Sequence, residues 1–270
     1  MEVVDTGSLA VQRVWAPVDA VDTYRVGMLV GWEQGAYDGV VNAGAAGGDP
    51  DATTNICGII EAVDTRVPLF QNDTTANGSY VEGVSTASAQ NAREVSFSSD
   101  KGPWIHGDKS VHVKIALITP WTKVSVPLYN GAFGTAPTVL TNTVADATGI
   151  SGTITGACDF TPVANEASLY WRTGASAGQM RVTDDTSTTT PTNDQAFSGG
   201  TTVGDTCVRV PLRTFGNCSV VTDAEALYFD ISATGASNNW HFNVIELNLQ
   251  NAGEEHVIGF FASRHFDTLT

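Results

Sequence analysis

Apolar residues recur along this chain in short runs, and the spacing within those runs predicts strands rather than helices. Residues 111–118 are the cleanest case, because every second side chain is apolar whereas His112 and Lys114 are polar. Successive side chains of a strand point to opposite faces, so this run would place its apolar residues on one buried face. The other strands predicted in the first part of the chain are 24–32 and 56–63.

Similar runs recur roughly every 8–12 residues in the second part of the chain, as in a β-sandwich. Within 206–213 the alternation predicts that Arg209 faces outward. Pro211 in the same run favours an edge or bulged strand, because proline has no N–H to donate to a neighbouring strand. In 240–249 the apolar alternation shifts phase, which favours a strand buried on both faces or one with a β-bulge. The strands predicted here are 138–144, 152–160, 168–172, 179–184, 206–213, 218–222, 226–232 and 240–249.

Prolines and glycines between residues 120 and 134 interrupt the strand patterns and mark the best domain boundary. The sequence predicts an all-β protein, with a small β-barrel-like domain over residues 1–123 and a jelly-roll-like β-sandwich over 124–270. Residues 1–20 are either an extended arm that docks on a neighbouring molecule or the first strand of their own domain.

The composition supports this fold class and narrows the range of functions. Charged residues are only 16% of the chain, below the roughly 25% of an average globular domain, and 27 glycines provide for many tight turns. Apolar residues make up 42% and are spread along the chain, which argues against disorder. With 13 Lys and Arg against 29 Asp and Glu, the net charge of −16 disfavours direct binding to nucleic acid or to an anionic membrane surface. Neither a signal peptide nor a membrane span is predicted, because the N-terminus lacks a basic segment and no apolar run reaches about 20 residues.

The chain has four cysteines, which are Cys57, Cys158, Cys207 and Cys218. They are too few and too widely spaced for a disulfide framework, and they lack the C-x-x-C spacing of zinc sites. We therefore expect free thiols that are partly buried. Cys207 and Cys218 flank a predicted hairpin and would pair only in an oxidising compartment.

One segment matches an enzyme motif, because Gly174-Ala-Ser176-Ala-Gly178 has the G-x-S-x-G spacing of a nucleophile elbow. An elbow needs a strand before the serine and a helix after it, but here strands are predicted on both sides, so a hairpin turn is favoured. The five histidines show no metalloprotease spacing, and no phosphate-binding loop or dinucleotide fingerprint is present. The sequence therefore predicts no catalytic residues, and a hydrolase acting through Ser176 is kept only as a rival interpretation.

Two groups of oxygen-bearing side chains suit a calcium ion better than any other cofactor. Hard oxygen ligands from flexible loops are those that calcium prefers. Neither group has the spacing of an EF-hand, and aspartate is also common in turns because it hydrogen-bonds its own backbone. The candidate ligands are Asp49, Asp51 and Asn55 in one loop and Asp184, Asp185 and Asp194 in another.

Six tryptophans raise the question of carbohydrate binding, since exposed aromatic rings stack on sugars. The ordinary alternative is that tryptophan fills cores and interfaces. Adjacent aromatic residues, and a tryptophan in an Asn-Asn-Trp-His run, are the best candidates. The candidate glycan-stacking residues are Tyr170, Trp171 and Trp240.

The N-terminal third resembles the small decoration, or cement, proteins of tailed-phage heads. The residues that carry the resemblance are Tyr24-Arg-Val-Gly-Met-Leu-Val-Gly-Trp32, the Gly/Ala-rich loop that follows, and Ile56-Cys-Gly-Ile-Ile-Glu-Ala-Val-Asp64. The C-terminal region is similar in style to β-sandwich domains that viral spikes and head fibres project outward. The resemblance implies a viral structural protein on the capsid surface of the virion that decorates or stabilises the shell and has no catalytic residues. It also implies the major capsid protein as a partner and a homotrimer or another symmetric homo-oligomer.

Under this interpretation the contact residues should be aromatic, because buried aromatic side chains dominate protein contacts. The expected interface anchors are Trp15, Trp32 and Trp121. A carbohydrate- or surface-binding β-sandwich module, with or without calcium, is the main alternative. A shell-forming capsid protein is a further variant within the structural class.

Overall fold

Strands, turns and bends make up the computed structural model, and no α-helix occurs among the residues it describes. The all-β prediction is therefore confirmed for this part of the chain. None of its sheets closes into a barrel through its strands, and the barrel-like and jelly-roll-like details remain predictions. The described residues are 2–5, 11–17, 23–32, 40–42, 56–63, 94–96, 112–212, 217–218, 221–222, 227–232, 242–263 and 266.

The chain divides into two compact units. The first unit comprises Met1–Val124, Val220–Leu227 and Phe260–Thr270, and the second comprises Ser125–Ser219 and Tyr228–Gly259. The strands of the first part of the chain are β1 (Glu2–Asp5), β2 (Arg13–Pro17), β3 (Thr23–Arg25), β4 (Leu29–Trp32), β5 (Val40–Asn42), β6 (Ile56–Val63), β7 (Glu94–Ser96) and β8 (His112–Leu117).

The first unit contains an antiparallel sheet in the order β2-β8-β6-β4-β5, and β3 pairs separately with β7. One face of this sheet packs into a core that includes Val30, Ile60, Val113 and Ile115. The strands predicted at 56–63 and 111–118 are confirmed as β6 and β8. In β8 the alternating residues Val113 and Ile115 enter this core, whereas β6 is buried on both of its faces from Ile56 to Ile60.

The remaining strands are β9 (Lys123–Tyr129), β10 (Leu140–Asn142), β11 (Ile154–Thr155), β12 (Ala167–Trp171), β13 (Met180–Thr183), β14 (Thr206–Pro211), β15 (Asn217–Cys218), β16 (Val221–Thr222), β17 (Leu227–Asp230), β18 (Phe242–Asn248) and β19 (His256–Phe261). Sheet A of the second unit has the order β11-β10-β14-β12-β13 and is antiparallel throughout. The strands of the second unit that belong to sheet B have the order β15-β18-β19-β9-β17, in which β17 runs parallel to β9.

Residues 189–194 bond to both edges of sheet A. On the β11 side, the Ile154 N–H donates to the Thr189 carbonyl at 2.8 Å. On the β13 side, the Asp184 N–H donates to the Thr192 carbonyl at 2.9 Å. One segment outside the strands therefore covers the backbone groups that both edge strands would otherwise leave open.

A buried ion pair joins sheet A to the segment that precedes β19. The Arg172 guanidinium donates to the Glu255 carboxylate, and both side chains are almost fully buried. The same guanidinium donates through Nε to the Leu249 carbonyl at 2.7 Å, and the Gly253 N–H donates to the other oxygen of Glu255 at 2.8 Å. Each charge therefore has a hydrogen-bond partner besides the other, which helps a buried ion pair to be tolerated, while Nη1 of Arg172 has no partner.

Two expectations for individual strands are wrong, and one of the two alternatives for a third strand is excluded. Strand β14 lies inside sheet A, and Pro211 is tolerated because it is the last residue of that strand, beyond the residues paired with β10. Arg209 is buried rather than outward-facing, since the chain that follows β13 covers its face of the sheet. Strand β18 is not buried on both faces, because Ile245 and Glu246 near its middle are exposed.

Candidate interaction surfaces

The turn between β8 and β9 displays a tryptophan to solvent. The Thr122 N–H donates to the Thr119 carbonyl at 3.0 Å and closes the turn, with Pro120 and Trp121 at its two central positions. The Thr119 N–H donates to the Thr122 hydroxyl at 2.9 Å, and the two threonine hydroxyls lie 3.0 Å apart. Thr122 is buried, whereas Trp121 is 76% exposed. The backbone of this turn is therefore held at both ends while its largest apolar side chain remains in water.

Trp15 and Trp32 are also exposed, but they do not form one patch. Trp15 pairs with Lys114 and points away from the face on which Ala16 enters the core. Trp32 pairs with Val40, whose side chain enters the core. Trp32 therefore lies on the same face of the sheet as the core, opposite to the face that carries Trp15. Strands β8 and β6 separate the two positions. The roles of all three tryptophans as interface anchors remain predictions.

Trp171, the central candidate for glycan stacking, is not part of a surface platform. Trp171 is fully buried, and its ring packs edge-to-face against Phe197 with the centroids 6.0 Å apart. The expectation that Trp171 stacks on a sugar is therefore wrong, because no face of its ring reaches solvent. The Tyr170 hydroxyl donates to the Gln250 side chain at 2.7 Å. Trp240 lies outside the described residues.

The G-x-S-x-G segment forms the turn between β12 and β13. Ser176 is buried, and its hydroxyl donates to the Gly200 carbonyl at 2.5 Å. Gly174 has a φ of +81°, and a Cβ at this position would lie 2.3 Å from the Asp205 carboxylate. The glycine is therefore required both by the left-handed backbone and by the close approach of that carboxylate. The motif therefore has a structural explanation, because Ser176 and Gly174 both contact the loop that precedes β14.

The calcium candidates near β13 have other partners. Asp185 accepts hydrogen bonds from the Ser187 N–H at 3.0 Å and from the Thr192 N–H at 2.6 Å. The guanidinium of Arg209 lies 3.9 Å from the same carboxylate, and a cation there disfavours a metal ion. Asp184 and Asp194 are exposed, and no group of metal-ligating side chains occurs in the part of the chain that the structure describes. The other set, Asp49, Asp51 and Asn55, lies outside that part.

Arg209 is a buried charged residue of sheet A, although the sequence predicted that it faces outward. Its guanidinium donates to the Ser187 carbonyl and, at 2.7 Å, to the Thr183 hydroxyl. Burial lowers the pKa of Arg209, while the nearby Cys158 and Asp185 act in the opposite direction. These contacts fix the loop after β13 to the sheet, so this arginine has a structural role.

Three loops meet at one end of sheet A, and the sequence did not predict that they come together. We call residues 143–153, 173–179 and 197–205 together the loop end. The buried side-chain amide of Asn142 donates to the carbonyls of Val144 at 2.8 Å and Thr202 at 2.9 Å. Asp146 and Thr201 exchange two backbone hydrogen bonds, at 3.0 and 2.8 Å. Together with the Ser176 bond described above, these contacts connect all three loops.

The loop end has a low charge for so acidic a chain. It contains no lysine or arginine, and its only acidic residues are Asp146 and Asp205. Asp146 accepts bonds from the hydroxyl and N–H of Thr148, and the hydroxyl bond is the largest cause of a lowered pKa for this carboxyl group. Asp205 is buried and accepts a bond from the Thr202 N–H at 2.8 Å. The exposed apolar side chains here are Val144, Ile150 and Val203.

Across the described ranges, no helix combines the length and the apolar character needed to cross a membrane. No protein family, curated protein or solved structure matches this chain.

Proposed function

We propose that this chain is a structural protein of the virus-particle surface that decorates or stabilises a capsid. The observation that supports it best is Trp121, which is 76% exposed on a turn whose backbone is hydrogen-bonded at both ends. Tryptophan is among the residues that most often dominate the binding energy of protein interfaces. Because the turn is already ordered, little backbone entropy is lost when the ring is buried by a partner.

The proposed partner is the major capsid protein. A protein that binds the assembled shell but not its free subunits stabilises the shell by mass action. The net charge of −16 is consistent with a position on the outside of the particle, since a surface facing packaged nucleic acid would be repelled by it. In this proposal the first unit, which carries Trp121, binds the shell as a trimer or another symmetric oligomer. The barrel-like and jelly-roll-like details expected from the sequence belong to the same hypothesis.

Immunogold electron microscopy with antibodies against the purified chain provides the first test. We expect label on the outer surface of particles purified from the source material. Label confined to the soluble fraction, with none on particles, would contradict a role on the capsid.

A binding assay with variants tests the role of Trp121. Particles depleted of the chain are mixed with purified wild type, W121A or V139A, and retention is measured after sedimentation. We expect W121A to bind at least about tenfold more weakly, the effect of losing a moderate hot spot. Val139 is an exposed apolar residue of the second unit, and V139A is the control that should bind like wild type. Equal binding of W121A and wild type would remove Trp121 from the interface.

A carbohydrate-binding module remains the second candidate, since the exposed ring of Trp121 also suits stacking on a sugar. A glycan array distinguishes the two functions. Binding to a defined glycan that is lost in W121A, without label on particles, would favour the carbohydrate-binding function.

A further inference from the structure

We infer that Asn130 is a latent deamidation site, which the fold protects and which becomes reactive when the loop after β9 opens. The modification converts the side-chain amide of this residue into a carboxylate. It concerns the second unit alone and is independent of the capsid role proposed for Trp121.

Asn130 is followed by Gly131, and asparagine before glycine is the sequence in which deamidation is fastest. Glycine has no Cβ to obstruct the reaction. The backbone nitrogen of Gly131 attacks Cγ of Asn130, the bond from Cγ to Nδ2 breaks, and the amide group leaves as ammonia with the proton of the attacking nitrogen. Water then opens the succinimide ring to give aspartate or isoaspartate. The chain has one other such pair, Asn77-Gly78, which lies outside the described residues.

The first reactive group, the side-chain amide of Asn130, is held by a carboxylate. Its Nδ2 donates to Oδ1 of Asp159 at 2.6 Å. Asp159 is fixed in turn by Thr138, whose N–H donates to the other carboxylate oxygen at 2.7 Å and whose hydroxyl donates to Oδ1 at 2.5 Å. The amide is therefore anchored to a segment 29 residues further along the chain.

The second reactive group, the backbone N–H of Gly131, is held by a different carboxylate. It donates to Oδ1 of Asp230 at 2.9 Å. Ser232 donates to the same oxygen through its N–H at 2.8 Å and through its hydroxyl at 2.7 Å. The attacking nitrogen must lose its proton, so negative charge develops close to the carboxylates that hold the two reactive groups. Like charges at this distance oppose that step.

The loop that carries both groups is closed by its backbone and by ring contacts. The Asn130 N–H donates to the Thr135 carbonyl at 2.8 Å. The ring of Phe133 packs against those of Tyr129 and Tyr228, with the centroids 5.1 and 6.1 Å apart. The two reactive groups must leave their carboxylates before the attack can occur. The rate of deamidation therefore follows the fraction of molecules in which this loop is open.

The deamidated product cannot restore this arrangement. A carboxylate at position 130 has no N–H to donate to Asp159, and it adds a second negative charge beside the first. Deamidation of Asn130 therefore makes a reversible opening of the loop permanent.

Peptide mass spectrometry of the full chain after incubation in mildly alkaline buffer tests this inference. We expect Asn130 to deamidate at least about tenfold more slowly in the folded protein than in denaturant, because loss of one hydrogen bond to a charged group is worth about that factor. In denaturant Asn130 and Asn77 should react at similar rates, since the local sequence is then the main influence. A folded protein that deamidates at Asn130 as fast as the denatured chain would overturn the inference.

Three variants test whether these contacts provide the protection. D159N removes the acceptor of the Asn130 amide and should accelerate deamidation of the folded protein about tenfold. F133A leaves both reactive groups intact but removes the ring contacts of the loop, and it should accelerate the reaction about two- to tenfold. D194N makes the same change as D159N at an exposed aspartate, and this control should behave like wild type. Rates for F133A and D159N equal to that of wild type would contradict protection by the loop.

Two further variants test whether the product holds the loop open. N130D reproduces the aspartate product, whereas N130S removes the hydrogen bond to Asp159 without adding a charge. We expect N130D to unfold at a lower denaturant concentration than N130S, and N130S at a lower concentration than wild type. Equal midpoints for the two variants would reject the repulsion that makes the opening permanent.

Discussion

The guanidinium of Arg172 donates to the carboxylate of Glu255 at a position where both side chains are almost fully buried. Neither charge can be rehydrated while the second unit stays folded. Arg172 follows β12 of sheet A directly, and Glu255 immediately precedes β19 of sheet B. The pair therefore fixes two sheets at one point, and removing one partner leaves the other charge buried without its counter-ion.

The single variants R172M and E255Q should each lower the free energy of unfolding by about 3–5 kcal/mol, the usual cost of an uncompensated buried charge. The double variant should lose less than the sum of the two, because it leaves no lone charge. Chemical denaturation of the four proteins measures the coupling. E254Q is the control, since Glu254 is exposed, and it should stay within about 0.5 kcal/mol of wild type. Additive losses in the double variant would show that the two charges are not coupled.

The variants G174A and G178A separate backbone strain from steric overlap. The two glycines have almost the same φ, +81° and +80°, but only Gly174 faces the Asp205 carboxylate, while nothing lies near Gly178. We expect G178A to cost about 1 kcal/mol from the left-handed backbone alone. G174A should cost at least about twice as much, because the carboxylate must also move. Thermal or chemical unfolding measures the loss of stability in each variant. Equal losses for G174A and G178A would show that the Asp205 side chain moves away without cost.

Burial should protect two cysteine thiols from alkylation. Desolvation by burial raises the pKa of Cys57 and of Cys207 to about 12. At pH 8 both are therefore almost entirely in the unreactive thiol form. Cys158 is only partly buried and should react faster than either. Mass spectrometry after brief treatment with iodoacetamide, with a denatured sample as the control, measures each site. Rapid native labelling of Cys207 would show that the core of sheet A opens readily.

Stability in acid should depend on Asp146. The Thr148 hydroxyl bond is the main cause of the lowered pKa of this carboxyl group, so the folded protein binds its proton more weakly than the unfolded chain does. The stabilisation is therefore complete above the ordinary aspartate pKa of about 4, and it is lost as the pH falls through the lowered folded-state value. The stability difference between wild type and D146N should be constant from about pH 7 to pH 5 and shrink below about pH 4. A difference that does not change with pH would contradict this assignment.

Short apolar runs predicted β6 and β8 correctly, the second of them from its alternation. Strand β6 matches the predicted range, and β8 differs from its prediction by one residue at each end. Strand β9 was missed because Pro127 was interpreted as part of a domain boundary, although Val124, Val126 and Leu128 alternate and are buried. Proline is an unreliable boundary marker where its missing N–H is not needed by a neighbour.

The burial of Arg209 could not be predicted from local sequence. Arg209 alternates with valines as an outward-facing residue would, and its burial depends on a covering loop that is distant in the sequence. The loop end escaped prediction for the same reason. The side-chain amide of Asn142 donates to the carbonyl of Thr202, which is distant in the sequence. Nothing in the sequence around either residue indicates this contact.

Residues 189–194 protect both edges of sheet A at the same time. Because the same segment bonds to β11 and β13, its release would uncover two unpaired strands at once. A local opening of this segment would therefore add two edges at which other chains could pair in intermolecular β-structure. By bonding to both edges at once, residues 189–194 guard sheet A against this route to aggregation.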